Sequence, residues 1–470
     1  MANSVKKNFL YNICLTLSTY IINLLVFPYV SRVLGVEIVG KIGFVNNVIT
    51  YFSLFAIWGV MTVGVREIAA CSEDREKRDQ VFSSIITILL ITTVFVTTTY
   101  LCAIFFIPRF YQLKELFILG TFTLFFTSFL LEWLYQGLEE FRFITIRTVA
   151  VRLIYALCIF MFVRSADDYV TYFFMTVIVV LINSFINILY SRRFVKFKIK
   201  NVQIKRFLIP LISLGSYKIM TSMYTSFNVI FLGMVCSDVT VGNYYTSTKI
   251  LYIILGVLTA FTTVMMPRMS SLLSNDRIED FHRSINKSLV LIMTVALPMV
   301  VYGVVLAPQI IRLISGPGYE NSIVPMRIVM PIILFSGIAQ VWVIQLLVPM
   351  KRDNIILYAS IAGAVTAVCA NICFVERYGA IGSAIVLLIA EIVSDGVVAY
   401  YILSKKIIKI PFKQFFRTIL SSSIYVIIAE GAALINNYLL SLLVAFVLFG
   451  VYFLIINRTF IKSLYNKKLS

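Results

Sequence analysis

Apolar residues recur along the chain in runs of about 20, the length a helix needs to cross a hydrocarbon core ~30 Å thick. The polar stretches between them predict membrane-spanning helices at roughly 8–30, 40–64, 81–107, 115–137, 143–163, 169–190, 208–235, 241–266, 288–306, 323–349, 355–375, 380–403, 416–434 and 438–457. Connections run mostly to about 5–20 residues, and none is long and polar enough to fold as a separate soluble domain. The expected fold class is all-α integral membrane, with about fourteen transmembrane helices. No small-residue cleavage site follows the first apolar core, so the first span reads as retained rather than removed as a signal peptide.

The polar segments also divide the chain. Residues 191–206, SRRFVKFKIKNVQIKR, carry basic residues and no acid and read as a cytoplasmic linker. They separate an N-terminal six-helix lobe, 1–190, from a C-terminal six-helix lobe, 207–404. A second basic loop, Lys405 to Lys413, sets off an appended helix pair and basic tail, 405–470. A faint repeat supports two lobes. Leu34-Gly35 and Val39-Gly40 at the first hairpin are echoed by Leu232-Gly233 and Val241-Gly242, an offset of about one lobe, and duplicated lobes are a common basis for alternating access.

Charge changes the picture by giving an orientation. The chain is 60% hydrophobic yet carries 41 Lys and Arg against 22 Asp and Glu, a net charge of +19. Positively charged loops resist translocation. With a cytoplasmic N-terminus, only Arg32, Lys41, Arg109, Lys114, Arg164, Arg312, Arg327 and Arg377 fall outside, while Arg152, Lys218 and Lys249 fall within spans and the rest inside. An even number of crossings places both termini in the cytoplasm. Topology and anionic-lipid contact then account for the basic excess, and nucleic-acid binding is unnecessary. The cysteines lie mostly in spans and imply no disulfide framework; Cys369 and Cys373 share a helix face, but no His or carboxylate pair stands near them to complete a metal site.

Several chemistries lack their parts. There is no G-x-x-x-x-G-K-[ST] loop to cradle nucleotide phosphates. The one histidine, His282, lies in a cytoplasmic loop, which removes histidine triads, zinc-protease sites and histidine proton relays at membrane depth. The longest outward connection, about 307–322, is dominated by a Gly-Pro-Gly turn and offers no catalytic loop.

Charge inside hydrocarbon is costly and usually lines a polar path. In span 8, Tyr245, Lys249, Tyr252, Gly256, Thr259 and Thr263 follow steps of three and four along one face. In span 7, Lys218, Ser222 and Thr225 form a similar stripe. At 1.5 Å per residue Lys249 lies ~12 Å from the outer end, Lys218 ~15 Å and Arg152 ~13 Å from the inner ends of their spans. Cations at that depth suit an aqueous cavity for a diphosphate or acidic sugar; the alternative is pairing with buried acids, or snorkelling. Glu132, Glu391 and Asp395 at i, i+4, and Glu430 lie in apolar runs too, either to take a coupling ion or to pair structurally. Pro210 and Pro298 are positioned to bend spans, whereas Pro28 and Pro349 read as span terminators.

The opening Phe27-Pro28-Tyr29-Val30-Ser31-Arg32-Val33-Leu34-Gly35 with Val39-Gly40 resembles that of Wzx-type polysaccharide flippases of the MATE-like multidrug/oligosaccharidyl-lipid/polysaccharide (MOP) exporter superfamily. So do Gly64-Val65-Arg66-Glu67-Ile68-Ala69, Glu132-Trp133-Leu134-Tyr135-Gln136-Gly137-Leu138-Glu139, Val241-Gly242-Asn243-Tyr244-Tyr245, Met266-Pro267-Arg268 and Tyr378-Gly379-Ala380-Ile381-Gly382-Ser383-Ala384. The ordered set covers about residues 8 to 404.

The resemblance implies two six-helix lobes around a central cavity plus two C-terminal helices. It implies movement of an undecaprenyl-diphosphate-linked oligosaccharide across the bacterial cytoplasmic membrane for O-antigen, capsule or exopolysaccharide synthesis. Candidate substrate-binding residues are Lys218, Lys249, Arg152, Arg32, Arg66, Tyr245 and Tyr252; candidate ion-coupling residues are Glu391, Asp395, Glu132 and Glu430. No catalytic residue, metal or cofactor is expected. The expected partners are the lipid-linked substrate, membrane lipids, a coupling proton or sodium ion, and the polymerase and other polysaccharide-assembly proteins. Asn228 stands in span 7 where the family pattern leads one to expect an acid, which leaves the ion open. Two alternatives remain: a cation-coupled multidrug or solute exporter of the same superfamily, and a membrane glycosyltransferase or polymerase.

Overall fold

The structure, a computed structural model, describes residues 2–71, 73–198, 202–408 and 412–456. The linker residue Lys200, Lys409 and the basic tail with Arg458, Lys462, Lys467 and Lys468 lie outside the described residues. Among the described residues there is no strand. The helices run α1 (Ala2–Ile57), α2 (Val60–Ala70), α3 (Arg75–Phe106), α4 (Pro108–Gln112), α5 (Lys114–Thr127), α6 (Glu132–Gly137), α7 (Phe141–Phe162), α8 (Tyr169–Ser191) and α9 (Ile204–Ser222). They continue with α10 (Ser226–Val235), α11 (Asp238–Ser274), α12 (Ile278–Val305), α13 (Ala307–Ser315), α14 (Ile323–Val329), α15 (Ile332–Gln340), a π-helical segment Val341–Leu347, α16 (Asp353–Ser404), α17 (Phe412–Ala433) and α18 (Tyr438–Ile456).

Eleven of the described helical stretches are long and apolar enough to cross a membrane. Two of these, Ser18–Ala70 with 53 residues and Asp353–Ser404 with 52, are more than twice the length one crossing needs. Each contains a glycine at positive φ, Gly35 at 77° and Gly379 at 53°, where the helical path breaks. Span 7 is built from two shorter helices, α9 and α10, so the predicted stripe through Thr225 is interrupted after Ser222. Pro28 does not terminate a span: α1 continues past it to the Gly35 break. A single missing N–H is tolerable inside a membrane helix whose neighbours can meet the freed carbonyl.

Packing divides the chain into two units, Met1–Thr246 with Asp353–Val397, and Ser247–Arg352 with Val398–Ser470. In the first, α1 packs on α3, α5, α7 and α10. Two glycines of the repeat, Gly40 and Gly242, meet here. A Cβ on Gly40 would collide with the Asp238 carbonyl oxygen and lie 2.7 Å from the Gly242 nitrogen; one on Gly242 would collide with the Val36 carbonyl oxygen. Bare backbone at both positions lets the first hairpin and the start of α11 touch. Arg109 fixes the neighbouring end, pairing with Asp238 and donating to the Gly233 carbonyl at 3.0 Å.

The linker is fastened along α3. Asp79 Oδ1 accepts from the Lys196 amide at 2.8 Å, Ser83 Oγ from the Lys198 amide at 2.8 Å, and Ser84 Oγ from the Gln203 amide at 3.0 Å. Asp79 is buried and also pairs with Lys198 Nζ at 3.2 Å. Asp74 caps the same helix by accepting from the Lys77 and Glu76 amides at 3.1 Å, and the Lys77 amide and ammonium hold its carboxyl below the usual carboxylate range.

In the second unit α12 packs on α15 and α17. Ser441 Oγ donates to the Ala432 carbonyl at 2.7 Å and Tyr302 Oη to the Leu442 carbonyl at 3.0 Å, while the Tyr425 and Phe449 rings sit 4.7 Å apart. These contacts tie the appended pair α17 and α18 to each other and to α12.

Candidate functional site

Two apolar spans of the first unit are interrupted. The path from α1 to α2 turns at Trp58, φ 33°, and Gly59; the path from α5 to α6 turns at Leu131, φ 49°. Non-glycine residues at positive φ store strain and cluster at functional sites. Both turns line one cavity of about 220 Å³, with Glu132 and, from α9, Lys218 also in its wall.

A helix break in an apolar setting exposes carbonyls that must be met. The Leu130 carbonyl accepts from Asn187 Nδ2, and the Ala56 carbonyl accepts from Thr92 Oγ1 at 2.7 Å. Fully buried Asn187 does more: its Oδ1 accepts from Arg147 Nη1 and its own carbonyl accepts from Tyr135 Oη. Arg147 also donates from Nη2 to Thr148 Oγ1 at 2.8 Å and lies 3.4 Å from Glu132 Oε1. The guanidinium side chain is 4% exposed and the Glu132 side chain 37%. Arg147 is thus sunk in protein, while its counter-ion keeps an open side.

Of the residues singled out in the sequence, Glu132 and Lys218 therefore share a cavity. Arg152 is half-buried and donates to Thr19 Oγ1 of α1. Arg66 is exposed and pairs with Glu67 at 3.0 Å, which also reaches Arg206 of the linker at 3.2 Å; Arg32 is exposed. Tyr245 lies with its ring against Gly43, where a Cβ would approach to 2.8 Å. Glu391 and Asp395 are half-buried neighbours on α16, and one Asp395 oxygen is buried without a hydrogen-bond partner. Lys249, half-buried, and Tyr252 and Glu430, both exposed, belong to the second unit. Sequence reasoning missed Trp58, Arg147 and Asn187. The signals were a Trp-Gly pair inside a span, an arginine one turn into span 5, and Asn183, Ser184 and Asn187 on one turn of span 6.

The profile of the family described as "Polysaccharide biosynthesis protein" matches residues 5–273, and the MatE profile matches residues 216–373. The chain is 23% identical over 414 residues to a protein of Escherichia coli (strain K12) named "Putative O-antigen transporter", covering 86% of this chain and 98% of that one. A protein of the same name from Shigella dysenteriae is 25% identical over 405 residues, covering 83% and 97%. Among solved structures, the inward closed conformation of lipid II flippase MurJ superposes with a TM-score of 0.78 at 17% identity, covering 96% of this chain and 99% of that one. An inward-facing MATE family multidrug resistance transporter of the MOP superfamily gives 0.62 at 18% identity, covering 85% and 95%. Helical fold, profile match and ordered motifs converge: the chain belongs to the polysaccharide biosynthesis protein family and has the fold of the lipid II flippase and MATE transporter structures it superposes on.

Proposed function

We propose that the protein moves an undecaprenyl-diphosphate-linked oligosaccharide repeat unit across the bacterial cytoplasmic membrane for O-antigen, capsule or exopolysaccharide synthesis. The observation that carries the reading is a polysaccharide-biosynthesis chain with lysines inside its spans, one of them, Lys218, in the wall of a cavity. The names of the relatives, an O-antigen transporter and a lipid II flippase, support the same substrate class. On this proposal residues 1–190 and 207–404 are the two transport lobes, and both termini are cytoplasmic. Lys218, assisted by Arg152, holds phosphate oxygens, Lys249 is a separate candidate for the same role, and Glu391 with Asp395 takes the coupling cation.

Charge-assisted hydrogen bonds to phosphate are worth about 1.5–3 kcal/mol each, and neutral Gln cannot replace them. Lys218→Gln or Lys249→Gln should each lower substrate affinity about tenfold to a hundredfold, and Arg at either position should rescue in part. The assay is surface glycan restored to a flippase-deficient strain, scored beside membrane expression. Full glycan from the double Gln variant at normal expression would remove the lysines from substrate binding. In the same assay Glu391→Gln and Asp395→Asn should abolish dependence on the transmembrane pH gradient; unchanged dependence would return the pair to a structural role. The MatE match favours one second reading, coupled export of drugs or other solutes, for which the expected result is resistance to such compounds without any change in surface glycan.

A further inference from the structure

The second unit holds a separate cavity of about 200 Å³ between α12, α17 and the end of α18, and none of the candidate substrate or ion residues stands in its wall. Val290, Thr294 and Leu297 come from α12 and Ile456 from α18. The polar side belongs to α17, which supplies Gln414, Arg417, Thr418, Ser421 and Tyr425. No lining residue is acidic. Among the described residues the Arg417 guanidinium makes no ion pair or hydrogen bond, and the hydroxyl of Tyr425, a residue only 4% exposed, has no partner. Thr418 and Ser421 donate to carbonyls one turn back at 2.9 and 2.8 Å, which keeps their oxygens in place in the wall. The cavity lies where both helices pass from polar to apolar sequence. Lys287 is the last charged residue of α12, and Val290 follows it by three positions. Arg417 stands five residues past the start of α17, ~8 Å along its axis, and Phe416, Leu420 and Ile424 around it are exposed apolar side chains. Basic sequence borders the same end of the helix pair, Lys405 to Lys413 before α17 and Arg458 and Lys462 after α18. A guanidinium set among hydrocarbon side chains and unpaired within the protein calls for an anion from the surrounding bilayer.

The order of groups along α17 selects the anion. From the basic end inward come a carboxamide, a guanidinium with a hydroxyl beside it, then a serine and a phenol, which matches a glycerophospholipid taken from headgroup to phosphodiester to acyl esters. One guanidinium answers the single charge of a phosphodiester. A diphosphate leaves a second charge unmet, because Arg417 is the one cation among the lining residues. An ethanolamine headgroup sets an ammonium against Arg417 and the basic loop, whereas glycerol hydroxyls are neutral and bond to the Gln414 carboxamide. The volume, far above the ~10–15 Å³ that admits a water, holds a headgroup and leaves the acyl chains to lie along the exposed stripe of Phe416, Leu420 and Ile424.

We propose that this cavity is a site for one anionic phospholipid of the phosphatidylglycerol type, with Arg417 and Thr418 donating to the phosphodiester, Gln414 bonding the headgroup glycerol, and Ser421 and Tyr425 donating to the acyl ester carbonyls. The bound lipid staples the appended α17 to α12 in the leaflet that the basic segments border, the cytoplasmic one on the orientation proposed above. The site does not depend on what the transporter carries.

The test uses the full chain, purified in detergent and followed by native mass spectrometry with phosphatidylglycerol, phosphatidylethanolamine, sodium phosphate and a short-chain polyprenyl diphosphate as probes. One phosphatidylglycerol should be retained, and phosphatidylethanolamine should bind about tenfold more weakly. Arg417→Gln should weaken phosphatidylglycerol about tenfold to a hundredfold, because a charge-assisted bond is lost, and Arg417→Lys should restore part of it. Arg192→Gln removes the same charge from an exposed residue outside the cavity and should change nothing. Equal weakening by both Gln variants would reduce the effect to bulk charge and sink the site. Displacement of phosphatidylglycerol by sodium phosphate would assign the cavity to the free anion, and displacement by polyprenyl diphosphate would assign it to the transported lipid; either result overturns the proposal. A further arm needs no variant. Phosphatidylglycerol carrying a photoreactive group in its headgroup should label residues 290–298 and 414–425 of the unaltered chain, and labelling that is absent or confined to other helices would overturn the site even if the Arg417 variants fail to fold.

Discussion

At the scale of single residues, Asn187 ties α8 to α7 and to the break before α6. One amide meets the carbonyl freed at Leu130 and a buried guanidinium at Arg147, so one substitution leaves the carbonyl unmet and removes one of the guanidinium's partners, Thr148 and Glu132 remaining. A buried polar group left unsatisfied costs about 1–3 kcal/mol. Asn187→Ala should therefore lower the thermal transition of the purified protein in detergent, by at least that much in stability. Asn187→Asp should recover part of the loss, since it still accepts from Arg147 while leaving Leu130 unmet. An unchanged transition in Asn187→Ala would show that water serves the break equally well. Little of this was legible in the chain. Glu132 and Lys218 announce themselves because charge is rare in apolar runs, but Asn187 looks like ordinary polar content in a span, and only the Leu130 carbonyl three-dimensionally opposite gives it a task.

At the scale of elements, the apolar runs located the helices because run length is dictated by bilayer thickness alone. The breaks at Trp58 and Leu131 were harder to read: only a Trp-Gly pair marks the first, and Glu132 beside Leu131 reads as a charge within a span and not as a turn. The glycine repeat was visible as a pattern without a cause, and the cause is the backbone contact between Gly40 and Gly242. Gly242→Ala should force the start of α11 away from α1 and reduce folded protein in the membrane severalfold, because the obstacle is a backbone carbonyl that cannot rotate aside. Gly431→Ala is the matched control; a Cβ there meets nothing within 4 Å, and Ala favours the helix. Size-exclusion profiles of both variants check the pair, with equal monodispersity counting against the close contact.

At the scale of the whole molecule, basic-residue placement predicts an orientation that helix geometry alone does not supply. A reporter that works only in the cytoplasm should be active when fused after Lys200, and one that works only outside should be active at Asn436; the reverse pattern would exchange the two mouths of the transporter. The same linker bears on how such chains diversify. Its attachment to α3 is made through the amides of Lys196, Lys198 and Gln203, groups that every residue except proline possesses. The receiving oxygens all belong to α3, so these three bonds do not depend on the linker's side chains, although Lys198 adds its ion pair with Asp79 and Arg206 its own with Glu67. Asp79, Ser83 and Ser84 therefore work as a socket for backbone. Any residue but proline keeps the backbone bonds at positions 196 and 203, so those two can be rewritten without cutting the moorings of the helix the segment crosses, whereas Lys198 also brings the charge that answers buried Asp79.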